Sequence, residues 1–176
     1  MTTLHIIIDG YNLIRQSPTL SRIDSRDLQK GREVLLNRLA AYRRVRPHTV
    51  TVVFDGADAP AYYQHRDRVG GIDVRFSAPG QTADAVVRDL ALAKREKALV
   101  VTSDREIVTA VEAAGAAAVS SREFEEHVNQ ALMMEAREGA GEEDADVSWS
   151  GTTKKKGPGR RLSKKERRTR TRVGKL

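Results

Sequence analysis

The stretch Leu4-His-Ile-Ile-Ile-Asp9-Gly10-Tyr11-Asn12 decides the fold. Its apolar run is broken only by His5, and a strand with one wet face would alternate instead. A continuous run therefore predicts a strand buried on both faces. It stops at an acid and a glycine. The same form recurs at residues 49–54 (TVTVVF), closed by Asp55, and at residues 98–102 (ALVVT), closed by Ser103 and Asp104. Residues 72–77 alternate weakly, as a strand nearer an edge would. Residues 116–119 make a short last strand.

Helical spacing fills the intervals. Residues 27–45 set Leu28, Leu35, Leu39 and Tyr42 on one stripe with Arg and Lys opposite. Residues 82–96 do the same with Ala83, Val86, Val87, Leu90 and Ala93, and Thr82 is a suitable N-cap. Two capping boxes, Ser103 to Glu106 and Ser120 to Glu123, open further helices, one ending before Gly115 and one near Glu138. Strand alternating with helix predicts an α/β three-layer sandwich around a mostly parallel sheet, over residues 1–138.

Beyond that the periodicity stops. Residues 139–159 are Gly-rich and charged in blocks, which predicts a flexible linker. Residues 160–176 are a basic tail with too few apolar groups to fold alone. Residues 151–176 hold 12 Lys and Arg against one acid, leaving 19 against 23 before them, so a balance of +11 follows one of −4. A basic segment on an acidic domain suits a polyanion such as RNA. Lys154, Lys155, Lys156, Arg160, Arg161, Lys164, Lys165, Arg167 and Arg168 are the phosphate-binding candidates there. Ser163 to Glu166 has the form of a capping box, so part of the tail can become helical on a partner.

The absence of cysteine excludes disulfides, thiolate zinc sites and cysteine nucleophiles. The opening residues lack a basic n-region, and their apolar run is too short for a leader or a membrane span. A soluble, cytoplasmic protein with no membrane partner is expected. There is no phosphate loop of the G-x-x-x-x-G-K type and no G-x-S-x-G elbow. A haloacid-dehalogenase type of phosphotransfer needs a second Asp two residues after the first, where Tyr11 stands.

The chemistry lies in where the acids fall. Asp9 and Asp55 close strands, Asp104 follows one, and Asp84 lies in the first turn of the helix after the third strand. In open α/β sheets such positions share the rim at the strands' carboxyl ends. Each acid alone has a structural explanation, because Asp and Ser cap helices and make turns there. Four together are a costly cluster of like charge unless a cation compensates. Oxygen ligands select Mg²⁺ or Mn²⁺ over zinc or copper. Arg88, four residues on, shares the face of Asp84 and can pair with it or meet a phosphate. Asp89 falls about 140° round the helix, away from that rim.

These motifs resemble a known family. Ile8-Asp9-Gly10-Tyr11-Asn12, Phe54-Asp55, Thr82-Ala83-Asp84 and Thr102-Ser103-Asp104 are similar, in type and order, to the signature of the NYN domains. These are relatives of the PIN-domain nucleases, and the likeness is greatest to the YacP-like branch, over roughly residues 4–135. The resemblance implies a PIN-like fold and a metal-dependent endoribonuclease, linked in some relatives to translating ribosomes, leaving 5′-phosphate and 3′-hydroxyl ends. It makes Asp9, Asp84 and Asp104 the ligands of Mg²⁺ or Mn²⁺. Asn12 would hold a water or orient the first acid, and Asp55 would stand behind the ligands. The rival function is a non-catalytic RNA- or ribosome-binding adaptor of the same fold.

Residues 57–71 read as a loop leaving that rim. Tyr62 and Tyr63 beside Arg66 and Arg68 can stack unpaired bases and hold phosphates. His5, His48, His65 and His127 are scattered, and structural or solvated roles are expected for them.

Overall fold

The computed structural model describes residues 3–59, 66–139 and 163–176. Six strands form one sheet: β1 (His5–Asp9), β2 (Thr49–Phe54), β3 (Arg66–Val69), β4 (Ile72–Phe76), β5 (Ala98–Val101) and β6 (Ala117–Val119). Their order is β3-β4-β2-β1-β5-β6. All neighbours are parallel except β3, which lies antiparallel to β4. The predicted α/β sandwich with a mostly parallel sheet is what forms. Among the described residues no helix is long and apolar enough to cross a membrane.

The helices are α1 (Gly10–Gln16), α2 (Pro18–Asp24), α3 (Leu28–Val45), α4 (Ala83–Lys94), α5 (Arg105–Ala113), α6 (Ser121–Gly139) and α7 (Lys164–Val173). Strand alternation sorts the core into two layers. Ile6, Ile8, Val52, Phe54 and Val74 pack with residues of α1, α3 and α6. Ile7, Val53 and Val100 pack with residues of α4 and α5 on the opposite face. The chain moves outward from β1 through β2 to β4, then crosses back by α4 to β5. The order therefore reverses between β1 and β5, the crevice where open α/β sheets place their sites.

Three parts differ from the sequence reading. Helices α1 and α2 occupy residues that showed no helical pattern. They are seven residues each, too short to display a period, and Ser17 caps α2 with Pro18 at its first position. Strand β3 lies in the supposed loop. As an edge strand of mostly exposed residues, Arg66-Asp-Arg-Val, it lacks the apolar run that marks the inner strands.

The third difference is the tail. Its composition predicts disorder, yet α7 forms with a complete Ser163–Glu166 capping box. It packs on β6, its Arg172 donates to the Gly115 carbonyl, and Leu176 joins the α3 side of the core at 5% exposure. Tyr42 donates to the Leu176 carbonyl and the His48 ring meets the Lys175 carbonyl. A few contacts at its far end bind a segment whose composition alone gives no core. The expected linker, 139–159, lies outside the described residues apart from Gly139, which ends α6.

Candidate metal and RNA site

The site starts from Gly10. A side chain there would meet Phe54, whose ring would lie 2.3 Å from the added Cβ. Only glycine lets β1 turn directly into α1 against that ring. The close approach thus serves the aromatic packing of Phe54 with Tyr11 and Phe76, at 5.1 and 5.7 Å between centroids. Tyr11 is fixed in turn by Arg32, which donates to its hydroxyl at 2.7 Å.

Asp9 is then the N-cap of α1, its Oδ1 accepting from the Asn12 N–H at 3.2 Å. Asp104 is the N-cap of α5, the position the sequence reading assigned to Ser103. Its Oδ1 accepts from Glu106 and Ile107. Each carboxylate thus uses one oxygen to finish a helix and has Oδ2 left for another partner. Asp84 lies in the first turn of α4, which Thr82 caps. Burial pushes the Asp9 carboxyl up, the Asn12 N–H opposes this, and Asp84 raises it again; Arg15 pulls down and Asp104 pushes up. The result is about 6. Asp55 is not among the charges acting on Asp9; its Oδ1 accepts from Ala57 N–H and caps a short turn, Gly56–Asp58.

Asp9 therefore feels two acids from other elements, Asp84 and Asp104, at the crevice between β1 and β5. Among the described residues, no three carboxylates or imidazoles stand close enough to enclose a metal. The donors nonetheless suit a hard cation: they are carboxylate oxygens, two of them uncommitted, around a repulsion that a cation would relieve.

Besides the bond from its N–H to Asp9, the side chain of Asn12 has a structural part. Its Oδ1 accepts from the Ser103 N–H at 2.9 Å and from the Ser121 hydroxyl at 2.7 Å. It ties the end of β1 to the loop after β5 and to the start of α6, and so spaces Asp9 from Asp104. Ser121 is fully buried, and Thr102 Oγ1 accepts from the Asp104 N–H. Neither was given a role of its own from sequence, although Thr102 stands in the motif Thr102-Ser103-Asp104 and Ser121 in a capping box. Asn12→Ala would orphan both donors and should cost about 1–3 kcal/mol. A midpoint in urea matching that of the unsubstituted protein would refute this role.

The arginines divide. Arg88 donates through Nε to the Asp84 backbone carbonyl at 3.3 Å, not to its carboxylate. Arg66 pairs with Asp73 at 2.9 Å, and Arg68 is exposed on β3. In α7, Lys165 pairs with Glu112 and Arg168 with Glu96, whereas Lys164, Arg167 and Arg170 are exposed and pair with no acid among the described residues. Tyr62, Tyr63, Lys154, Lys155, Lys156, Arg160 and Arg161 lie outside the described residues, as does His65. His5 bonds Thr51 Oγ1 at 2.8 Å, away from the acids.

A parallel sheet with acids gathered at its reversal point is the architecture of the PIN-like nuclease superfamily, and comparison with known proteins narrows this. A family model described as the YacP-like NYN domain matches residues 6–173, so the chain belongs to that family. The uncharacterized protein YacP of Bacillus subtilis (strain 168) is 30% identical over 122 residues, 68% of this chain and 71% of that protein. The crystal structure of Rae1 (YacP) from Bacillus subtilis superposes with a TM-score of 0.66 at 28% identity, covering 77% of this chain and 79% of the other. A crystal structure of a point mutant of the same Bacillus protein gives a TM-score of 0.64 at 29% identity, covering 77% and 80%. The family match runs through α7, consistent with a C-terminal helix that belongs to the domain.

Proposed function

We propose that this protein is an endoribonuclease dependent on Mg²⁺ or Mn²⁺, with Asp9, Asp84 and Asp104 as the residues that would hold the ion. The observation that carries this is that Asp9, half-buried at the end of β1, feels the charges of Asp84 and Asp104 from two other elements at the strand-order reversal. Membership of a family in the PIN-like nuclease superfamily supports it. The chemistry such an ion supplies when bound is activation of water and compensation of charge on a phosphodiester.

The chain's own residues do the placing. Helix N–H groups hold one oxygen each of Asp9 and Asp104, fixing where the others lie. Asn12, Ser103 and Ser121 fix the distance between the two strand ends. Arg88, Arg68 and the outward cations of α7 meet the phosphates of RNA, on ribosomes or free, and Asp55 shapes the turn beside the site.

The test compares the protein with Asp9→Asn on structured RNA, single-stranded RNA and translating ribosomes, with Mn²⁺, Mg²⁺ or EDTA. Cleavage that needs the metal and falls at least about a thousandfold in the variant, near 4 kcal/mol of barrier, is expected. Binding without cleavage on every substrate would make the protein an adaptor instead.

A further inference from the structure

Beside the carboxylate site runs a groove of about 390 Å³, between α4 and the β3–β4 edge of the sheet, lined among others by Arg66, Arg75, Phe76, Gln81, Asp89 and Leu90. It exists because the face of the sheet that carries α4 and α5 is left open at β4 and β3. Asp73 and Arg75 alternate onto this face with Thr51, as does Asp9 on β1. Arg66 lies opposite Arg75 in register.

Asp73 organises the wall. Its Oδ1 accepts from Arg66 Nε at 2.9 Å and its Oδ2 from Arg75 Nε at 3.1 Å. Thr51 adds a longer contact at 3.4 Å and is itself held by His5. Burial works against ionising Asp73, but the two guanidinium groups outweigh it and hold the carboxyl below its ordinary range. Both Nη groups of Arg75 and Nη1 of Arg66 are left over, in a planar fork suited to phosphate. On the opposite wall Gln81 and Asp89 are exposed and make no side-chain hydrogen bond or ion pair among the described residues. The floor takes its apolar surface from Val86 and Leu90. Asp89 is five residues along α4 from Asp84, about 7.5 Å in rise and about 140° round the helix, so groove and acids lie on neighbouring faces of one helix.

We propose that this groove is a nucleotide subsite, taking an unpaired RNA nucleotide next to the bond held at the carboxylates; in naming RNA this rests on the nuclease reading above. Arg66 and Arg75 receive its phosphate, the apolar floor receives its base, and Gln81 and Asp89 meet the base edge. Single-stranded RNA is read in this way, by splayed bases bonded along their Watson–Crick edges. A carboxylate only accepts, so it favours an edge with adjacent donors. Guanine, with its ring N–H beside an exocyclic amine, fits Asp89 best, and uracil offers a single donor. Asp89, turned from the metal ligands, thereby acquires a specificity role.

The experiment is fluorescence anisotropy with the full chain in EDTA, using a short oligouridylate and the same oligomer carrying one central guanosine. The guanosine should tighten binding about tenfold, as a charge-assisted pair of bonds does. Asp89→Asn should bring the two oligomers within about twofold, since an amide cannot accept at both positions. Arg75→Ala should weaken both alike, and Arg75→Lys, which keeps the charge on Asp73, serves if the alanine variant does not fold. Equal affinities for the two oligomers, or a guanosine preference that survives in Asp89→Asn, would overturn the subsite. The readout is binding, so the two readings separate. A preference lost in Asp89→Asn without any metal-dependent cleavage retains the groove and removes the nuclease; cleavage with an unaltered preference does the reverse.

Discussion

In EDTA near neutral pH, Asp9→Asn should melt above the unsubstituted protein by about 5–10 °C. Asp9 titrates at about 6 in the folded chain against an ordinary 3.8. A carboxyl raised by about two units makes its ionised form unfavourable by about 3 kcal/mol. The native state binds the proton more tightly than the unfolded chain, so unfolding between these values releases protons. Stability is therefore greatest below about pH 4, falls as pH rises through 6, and is level above. Asparagine keeps an oxygen for the Asn12 N–H and removes the charge, so it should recover about 2–3 kcal/mol at pH 7. For a chain of this length each kcal/mol moves the midpoint by about 2–4 °C.

Divalent metal should reverse the comparison. Mn²⁺ binding only the folded state stabilises it by mass action. The increment should be large with Asp9 intact and small in Asp9→Asn, and should fade as pH drops through 6, where protonation removes the ligand. Thermal scans from about pH 4 to 8, with and without Mn²⁺, measure all of this. A variant less stable than its parent in EDTA at pH 7, or one with the parent's slope between pH 4 and 6, would show that Asp9 carries no such penalty.

Which parts of this site were readable in advance follows from how local their causes are. The inner strands announce themselves because both faces are buried, so Ile6, Ile7 and Ile8 form an unbroken run. The edge strand β3 has no such requirement, and its arginines look like loop. The acids were legible as strand-end residues, and helix capping, the competing explanation, proves true at the same time: Asp9 and Asp104 are caps and rim acids together. Asn12 was legible as part of a motif, but its contacts were not, since Ser103 and Ser121 lie 91 and 109 residues away. The Asp73 cluster was likewise hidden, because Arg75 shares its strand face only once β4 forms, and Arg66 reaches it only through the pairing of β3 with β4. In α7 the cations dominate the composition, while the docking depends on Arg172 and Leu176.

That division makes α7 the second place where a large effect is expected. Leu176→Ala should lower stability by about 2–4 kcal/mol, the range for emptying a buried leucine site, and the melting midpoint by roughly 5–12 °C. The side chain is 5% exposed in the core shared with Tyr42. Burial, opposed by Arg46, pushes the Tyr42 hydroxyl up to about 12, so it stays a donor to the Leu176 carbonyl. Loosening the helix end also exposes His48, whose ring meets the Lys175 carbonyl. The surface pairs of Lys165 and Arg168 contribute little beside this. By contrast, replacing Lys164, Arg167 and Arg170 together by Gln should leave the midpoint within about 2 °C, because exposed changes rarely matter to stability. The same triple variant should reduce the slope of log affinity against log salt for RNA by about two, at roughly 0.7 for each of the three contacts on single strands. Packing and charge then separate along one segment: Leu176, just past the helix, holds it on the domain, and its outward cations stay in solvent, free for phosphates. An unchanged midpoint in Leu176→Ala would mean that α7 does not stabilise the domain. An unchanged salt slope in the triple variant would move the phosphate contacts elsewhere.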